Sequence, residues 1–137
     1  MQIADISIVD GKTTAVTHVF KPVQSGLESK YKRVGVAGQS AAAAETIVAT
    51  AKLASTANGV NKIELDLSIP VSEVVAGSSA EGYTPAPAIA HIPRAKVTFF
   101  VHQRSTVDER KDLRVMLSNL LMDGQIIDLV DNLVPAN

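Results

Sequence analysis

The chain of 137 residues contains no cysteine and no tryptophan, and aromatic residues make up only 4% of it. Without cysteine there is no disulfide, no thiol nucleophile and no thiolate metal ligand, which excludes several enzyme classes and the usual cross-links of small extracellular domains. No apolar run approaches the ~20 residues of a membrane span, so we expect no membrane association. The N-terminus also lacks a basic segment followed by an apolar stretch, and we expect synthesis in the cytoplasm.

Motifs for catalysis are missing as well. The sequence has no phosphate-binding G-x-x-x-x-G-K-[ST] loop, no G-x-S-x-G nucleophile turn and no G-x-G-x-x-G fingerprint. His18, His91 and His102 do not have the i, i+4 spacing of a helical metal pair. Glu64 and Asp66 have a spacing compatible with acid–base chemistry, but alternating charges are ordinary on a solvated strand face. We therefore predict a non-enzymatic protein with no catalytic residue, no metal site and no cofactor.

What remains is the composition of a globular chain, with 46% hydrophobic residues, 20% charged residues and a net charge of -1. A chain of this length is too short for two comfortable hydrophobic cores, so we predict a single domain over residues 1–137. Near-neutral net charge argues against a uniformly basic surface, although a local basic patch can still bind nucleic acid.

Alternating apolar residues predict an antiparallel sheet. The clearest strand spans 62–71, and Asn58-Gly59 before it predicts a two-residue type I′ turn from a strand at about 45–54. Asp10-Gly11 predicts an N-terminal hairpin within residues 2–20. Further strands are predicted at 29–36 and 94–104, so the sheet proper spans 29–104 and has about six to seven strands with the hairpin. Residues 37–44 stay unassigned, and 72–91, rich in Gly, Ser, Ala and Pro, predict a long mobile loop.

Two helices are predicted over residues 107–133. Thr106 and Glu109 have the spacing of a capping box, so the first helix should begin at Val107. Gly124 is a suitable residue to end it, and a second helix is predicted from about Gln125 to Leu133. The apolar residues of the first helix recur at i, i+3, i+4, i+7 and i+8, which predicts an association surface of Leu113, Met116, Leu117, Leu120 and Leu121. The fold class is therefore α+β.

One helix of this length is ~24 Å long and ~10 Å wide, which covers only a few strands of such a sheet. Large exposed apolar patches are uncommon on monomers, so the uncovered remainder favours a symmetric homodimer. The residues alone leave open a monomer in which the N-terminal hairpin folds over the sheet.

The polar face of the same sheet predicts a second surface. Lysines and an arginine there could contact phosphates, while threonine hydroxyls or an accessible ring could discriminate unpaired bases. The residues alone also leave open a merely solvated face. The candidate RNA-binding residues are Thr50, Lys52, Lys62, Glu64, Arg94, Lys96 and Thr98.

The order of elements resembles the coat proteins of single-stranded RNA bacteriophages, the leviviruses. The most specific stretch is 110–137, where Arg-Lys-Asp-Leu-Arg-Val-Met-Leu-Ser-Asn-Leu-Leu-Met-Asp-Gly precedes Asp-Leu-Val-Asp-Asn-Leu-Val-Pro. The second is the hairpin around Asn58-Gly59 that leads into Ile-Glu-Leu-Asp-Leu-Ser-Ile-Pro, residues 63–70.

This resemblance implies an intertwined dimer, with strands joined into one sheet and helices packed on the partner's sheet, and an icosahedral shell made of such dimers. It implies that the helix-free sheet face binds genomic RNA, including a hairpin that acts as packaging signal and translational repressor. The protein would reside in the virion capsid after synthesis in the bacterial host cytoplasm. The alternative is a small cellular RNA-binding or assembly module that forms no shell.

Overall fold

The computed structural model describes residues 3–37, 41–73 and 88–135. The chain divides into two compact units, Met1–Leu53 with Asn61–Phe100 and Ala54–Val60 with Val101–Asn137. Most of the sheet belongs to the first unit, and the helices belong to the second. The single domain over residues 1–137 stays a prediction.

The first unit is built on an antiparallel sheet. The strands in chain order are β1 (Ile6–Val9), β2 (Thr17–Gln24), β3 (Glu28–Arg33), β4 (Thr46–Lys52), β5 (Val60–Ser68), β6 (Val71–Glu73), β7 (Ala88–His91) and β8 (Arg94–His102). Six of them form one sheet in the order β1-β2-β3-β4-β5-β8, and β6 pairs with β7 in a separate two-stranded sheet. The predicted α+β class with an N-terminal hairpin is confirmed, and the hairpin is continuous with the six-stranded sheet.

Both predicted hairpins are present, but the two-residue type I′ turn predicted at Asn58-Gly59 is wrong. The connections span residues 10–16 and 53–59, and the positive-φ glycines of the described residues are Gly26 and Gly35 rather than Gly11 and Gly59. In the first connection the carboxylate of Asp10 accepts a hydrogen bond from the Val16 backbone N–H at 3.0 Å, which closes a wider loop. A side-chain acceptor thus replaces the tight turn that Asp-Gly predicts.

Some strand boundaries also differ from expectation. The strand predicted at 62–71 runs from Val60 to Ser68, because Pro70 has no N–H to donate and Val71 already belongs to β6. The loop predicted at 72–91 forms the β6–β7 ladder at its two ends, and residues 74–87 lie outside the described residues. The unassigned segment 37–44 contains a 3₁₀ turn at Ala41–Ala43.

The helices are α1 (Val107–Leu121) and α2 (Gly124–Asp131). The capping box is confirmed, because Thr106 Oγ1 accepts from the Glu109 N–H at 3.2 Å and Glu109 Oε2 accepts from the Thr106 N–H at 2.8 Å. Gly124 does not end α1 as predicted but begins α2. The carboxylate of Asp123 accepts from the Gln125 N–H at 2.9 Å and starts the second helix at once.

Few side chains are fully covered. Among the described residues, the buried hydrophobic ones are Phe20, Ala43, Ala44 and Val101, and Glu45 is buried with them. Neither α1 nor α2 contains a buried residue. Within the described ranges, no helix is long and apolar enough to cross a membrane. Packing within a single chain therefore leaves few apolar side chains of the described residues fully shielded from solvent.

Candidate RNA interface and association surfaces

The seven predicted RNA-binding residues share one face of the sheet. In the β4–β5 ladder Thr50 is the partner of Glu64 and Lys52 is the partner of Lys62, and directly opposed residues point to the same side. Ion pairs place two residues of β8 there as well, since Lys96 contacts Glu64 and Arg94 contacts Asp66. Thr98 follows at the same two-residue period. We call this side the polar face.

The cross-strand register extends the polar face beyond the prediction. Lys30 opposes Val48, Lys32 opposes Thr46, and Lys21 opposes Lys32, so β2 and β3 contribute three further lysines. These lysines were not among the predicted residues, although the Lys-Tyr-Lys alternation at residues 30–32 was a usable signal. The face carries seven cations, Lys21, Lys30, Lys32, Lys52, Lys62, Arg94 and Lys96, against three carboxylates, Glu28, Glu64 and Asp66.

Some of these cations form ion pairs with the carboxylates of the same face. Lys62 lies 2.5 Å from one carboxylate oxygen of Glu64 and Lys96 lies 3.7 Å from the other, while Arg94 binds both oxygens of Asp66. The cations project further into solvent than their partners, because the Arg94 side chain is 64% exposed and that of Asp66 is 13% exposed. Exposed ion pairs contribute about 0–1 kcal/mol each, so an incoming phosphate competes for these cations at small cost.

The same contacts shift the acid–base equilibria of the carboxyl groups. The hydrogen bond from Lys62 lowers the pKa of Glu64, and the charges of Lys62, Lys96 and Lys52 lower it further. The hydrogen bond from Arg94 lowers the pKa of Asp66, and the same contact raises the pKa of Arg94. Both carboxylates are therefore ionised at neutral pH, and the polar face keeps its mixture of charges.

An aromatic ring also lies on the polar face. Phe100, in β8, is 67% exposed, and the ammonium group of Lys62 lies 6.0 Å from the centre of its ring. An exposed ring beside a cation is a surface on which an unpaired base can stack. An accessible ring was expected on this face from the sequence, but Phe100 was not among the predicted residues.

The opposite side of the sheet is apolar. It carries Ile47, Ala49 and Ala51 of β4 opposite Leu67, Leu65 and Ile63 of β5. Leu65 is 40% exposed and Ile69, just beyond β5, is 39% exposed. Such residues are usually covered when a sheet has a complete hydrophobic core, so this face has room for a further layer.

The predicted association surface lies along α1. Leu113, Met116, Leu117 and Leu120 line a shallow groove of about 510 Å³, together with Asn119 and Asp123. The structure thus brings four of the five predicted residues together, and Leu121 lies outside the groove. Met116 is 69% exposed and Leu120 is 51% exposed. A helix with this stripe in contact with water needs another surface to cover it.

A compact cluster of polar side chains lies at the N-terminal hairpin, where sequence analysis assigned no role. His18 Nδ1 lies 2.6 Å from Glu45 Oε2, His18 Nε2 lies 2.9 Å from Asp10 Oδ2, and Arg33 donates to Glu45 Oε1 at 2.9 Å. Hydrogen bonds to Glu45 and Asp10 raise the pKa of His18, while those from Val16 and His18 hold the pKa of Asp10 well below its usual range. We call these four residues the His18 cluster.

These sites offer surfaces for macromolecular contact. Within the described ranges, no group of His, Asp and Glu side chains is arranged to hold a metal ion. A basic polar face, an apolar opposite face and an exposed helical stripe define a structural protein with several surfaces for macromolecular contact.

Comparison with known proteins identifies which structural class this is. The sequence profile of levivirus coat proteins matches residues 1–136, so the chain belongs to the levivirus coat protein family. Proteins of this family are structural components of the virion capsid of RNA bacteriophages rather than enzymes.

Individual relatives agree with this assignment. The capsid protein of Qbeta virus (strain MX1) is 36% identical over 75 residues, which are 55% of this chain and 52% of that protein. The chain thus matches about half the length of this curated relative. The virus-like particle of bacteriophage NT-214 has a chain that is 27% identical, with both chains fully covered and a TM-score of 0.83. The virus-like particle of bacteriophage ESE058 shares the fold, with a TM-score of 0.88 and 24% identity over the whole of both chains.

Proposed function

We propose that this coat protein forms a homodimer, that dimers assemble into an icosahedral shell, and that the shell encloses single-stranded RNA held on the polar face. The observation that carries the proposal is the small number of covered side chains. The described residues bury only four hydrophobic side chains, while the apolar face of the sheet and the stripe on α1 are both exposed. Burying these two surfaces against a second copy would supply the missing hydrophobic core.

The edge of the sheet supports a dimer with a continuous sheet. Strand β8 lies at one edge of the six-stranded sheet and is nine residues long. A long edge strand offers unpaired N–H and C=O groups, and proteins normally cover or pair such edges. Pairing of β8 with its copy would join the two sheets and bring the exposed apolar faces side by side. Helices from each subunit could then cross onto the sheet of the other.

Charge on the polar face supports RNA as the cargo. The chain as a whole has a net charge of -1, yet its polar face carries seven cations against three carboxylates. Such a face attracts a polyanion while the remaining surface does not, because electrostatic contacts with phosphates dominate nucleic-acid affinity. Two relatives of the same fold were found as virus-like particles, which agrees with assembly into a shell.

The direct test is expression of the protein alone, followed by electron microscopy and nuclease treatment of the purified material. Closed particles that contain nuclease-resistant RNA are the expected result. If only dimers are present at high protein concentration, the shell is refuted and the small RNA-binding module becomes the better description. Empty particles would refute RNA as cargo while leaving the shell intact.

A double substitution tests the predicted RNA-binding residues. Replacing Lys52 and Lys96 by alanine removes two exposed cations of the polar face and should reduce the RNA in each particle. The dimer should persist, because neither lysine belongs to the apolar surfaces. Size-exclusion chromatography reports the dimer, and the absorbance ratio of the particles reports the RNA. Unchanged RNA content would contradict the assignment of this face.

A further inference from the structure

The Asn58-Gly59 dipeptide lies in the connection 53–59 between β4 and β5, where Asn58 is exposed and Gly59 is half-buried. Asn58 is the only asparagine of the sequence that precedes glycine. This dipeptide is chemically reactive, because the side-chain amide carbon of asparagine is an electrophile that the next backbone nitrogen can attack. Glycine favours the attack, since it has no side chain to obstruct the close approach.

The reaction is deamidation. A base removes the proton of the Gly59 backbone nitrogen, and this nitrogen forms a bond to Cγ of Asn58. The bond from Cγ to Nδ2 breaks and ammonia leaves, so that a cyclic imide joins the two residues. Water then adds to either carbonyl carbon of the imide and breaks its bond to nitrogen, which leaves aspartate or isoaspartate in place of asparagine. Water is the only co-reactant that the reaction consumes.

The native connection opposes the first step. The N–H of Gly59 donates a hydrogen bond to the carbonyl oxygen of Thr56 at 3.1 Å, which is the contact of a β-turn over residues 56–59. Asn58 has no positive φ, in agreement with a type I turn, whose ψ at this position is about 0°. Closure of the imide needs a different ψ, because the Gly59 nitrogen must rotate towards the Asn58 side chain. The turn hydrogen bond therefore breaks before the reaction.

Two further contacts hold Gly59 in place. Its carbonyl oxygen accepts a hydrogen bond from the Gln103 N–H at 3.0 Å. A Cβ added at Gly59 would lie 2.6 Å from that of Ala54, so Ala54 packs closely against the glycine. One ordinary hydrogen bond that must break first slows a reaction about fivefold, so the bonds to Thr56 and Gln103 together correspond to about 30-fold.

We propose that Asn58 is the deamidation site of this protein, and that the contacts of Gly59 restrain the reaction until the connection 53–59 opens. Surface connections open locally at a lower free energy than global unfolding, so the native protein reacts slowly. Each event adds one carboxylate to a chain whose net charge is -1, and isoaspartate also inserts a methylene group into the backbone. The new charge arises between Lys52 and Lys62, which are opposed at the end of the β4–β5 ladder.

Mass spectrometry of the full-length wild-type protein tests the proposal. The protein is incubated at mildly alkaline pH, either native or in concentrated urea, and trypsin then releases the peptide 53–62 by cleavage after Lys52 and Lys62. The same peptide contains Asn61, which precedes lysine and is the internal control. In urea Asn58 should react well ahead of Asn61, and in the native protein the Asn58 rate should be about 30-fold lower. Equal rates at Asn58 in the two states overturn the restraint, and equal rates at Asn58 and Asn61 in urea overturn the choice of site.

A substitution separates the contacts of Gly59 from the general effect of folding. Ala54→Gly removes the Cβ that packs on Gly59, so the native rate should rise severalfold while the rate in urea stays unchanged. Ala15→Gly makes the same change in the exposed connection 10–16 and should leave both rates at their wild-type values. An unchanged native rate in Ala54→Gly, or an equal rise in Ala15→Gly, would show that the contacts of Gly59 do not restrain the reaction. Circular dichroism reports whether both variants fold, and if Ala54→Gly does not, the wild-type comparison alone decides.

Discussion

Replacing His18 by glutamine is expected to destabilise the protein by about 2 kcal/mol. The imidazole bridges two carboxylates, with 2.6 Å to Glu45 and 2.9 Å to Asp10, and its side chain is 12% exposed. A hydrogen bond to a charged group contributes about 1.5–3 kcal/mol. Glutamine carries no charge and has its two N–H donors on one nitrogen, so it cannot bridge carboxylates on opposite sides. Because the cluster is still partly accessible to solvent, we expect the loss of stability to equal about the contribution of one such hydrogen bond.

The loss should depend on pH in a defined direction. The folded protein raises the pKa of His18 above its ordinary value of 6.5, so the stabilisation by the charged imidazole is complete below that value and disappears as the pH rises through the folded pKa. Asp10 behaves in the opposite way. Its pKa is lowered on folding, so its contribution is present above its ordinary value of 3.8 and disappears as the pH falls. Glu45, Arg33 and Lys12 are the other charged groups at the cluster.

Chemical denaturation, followed by circular dichroism at one fixed protein concentration, measures the difference between wild type and His18→Gln. The difference should be largest between the ordinary pKa values of Asp10 and His18 and should shrink at alkaline pH. His91→Gln, which changes an exposed histidine in β7, is the matched control and should have no comparable effect. If the stability of wild type and of His18→Gln changes with pH in the same way above the ordinary pKa of histidine, the stabilisation by a charged His18 is refuted.

Three further substitutions test other parts of the fold. Leu120→Asp should abolish soluble dimer in size-exclusion chromatography, because a charge would be buried without a partner; a folded, soluble monomer would contradict the proposed dimer. Gly59→Ala should cost about 1–3 kcal/mol, since its Cβ would lie 2.6 Å from that of Ala54, whereas Gly11→Ala has open space and serves as control in thermal unfolding. Glu64→Gln should steepen the salt dependence of RNA binding by up to about 1.4, because Lys62 and Lys96 lose their carboxylate; an unchanged slope would show that this carboxylate does not restrain them.

Local patterns predicted the elements whose cause is local. The reciprocal contacts of Thr106 and Glu109 depend on residues three apart, so the start of α1 could be read directly from the chain. The two-residue turn at Asn58-Gly59 was predicted wrongly because turn geometry depends on more than a dipeptide. At Asp10 the carboxylate reaches the N–H of Val16, six residues away, and this contact overrides the preference of Asp-Gly for a tight turn.

Part of the candidate RNA interface could likewise be predicted from the sequence, and part could not. The period of two along β5 places Lys62, Glu64 and Asp66 on one side of the sheet whatever their neighbours are. Which cation pairs with which carboxylate depends on which strands are neighbours in the sheet. Arg94, for example, donates a hydrogen bond to Asp66, which lies 28 residues earlier in the sequence. The predicted residues are therefore brought together as expected, while their neutralisation by ion pairs was not visible in the sequence.

Sequence by itself determined which residues are apolar, which alternate and where α1 begins, because these properties depend on near neighbours and on the period of each element. Tertiary structure alone decided the strand order and register, and with them the opposition of Lys21 to Lys32 and the position of His18 between Asp10 and Glu45. Cross-strand register is a long-range property, set when separate segments bury their apolar sides together. The exposed stripe on α1 could be predicted because its spacing is a local property of the helix. The surface that covers this stripe could not be predicted in this way, because it belongs to the proposed assembly.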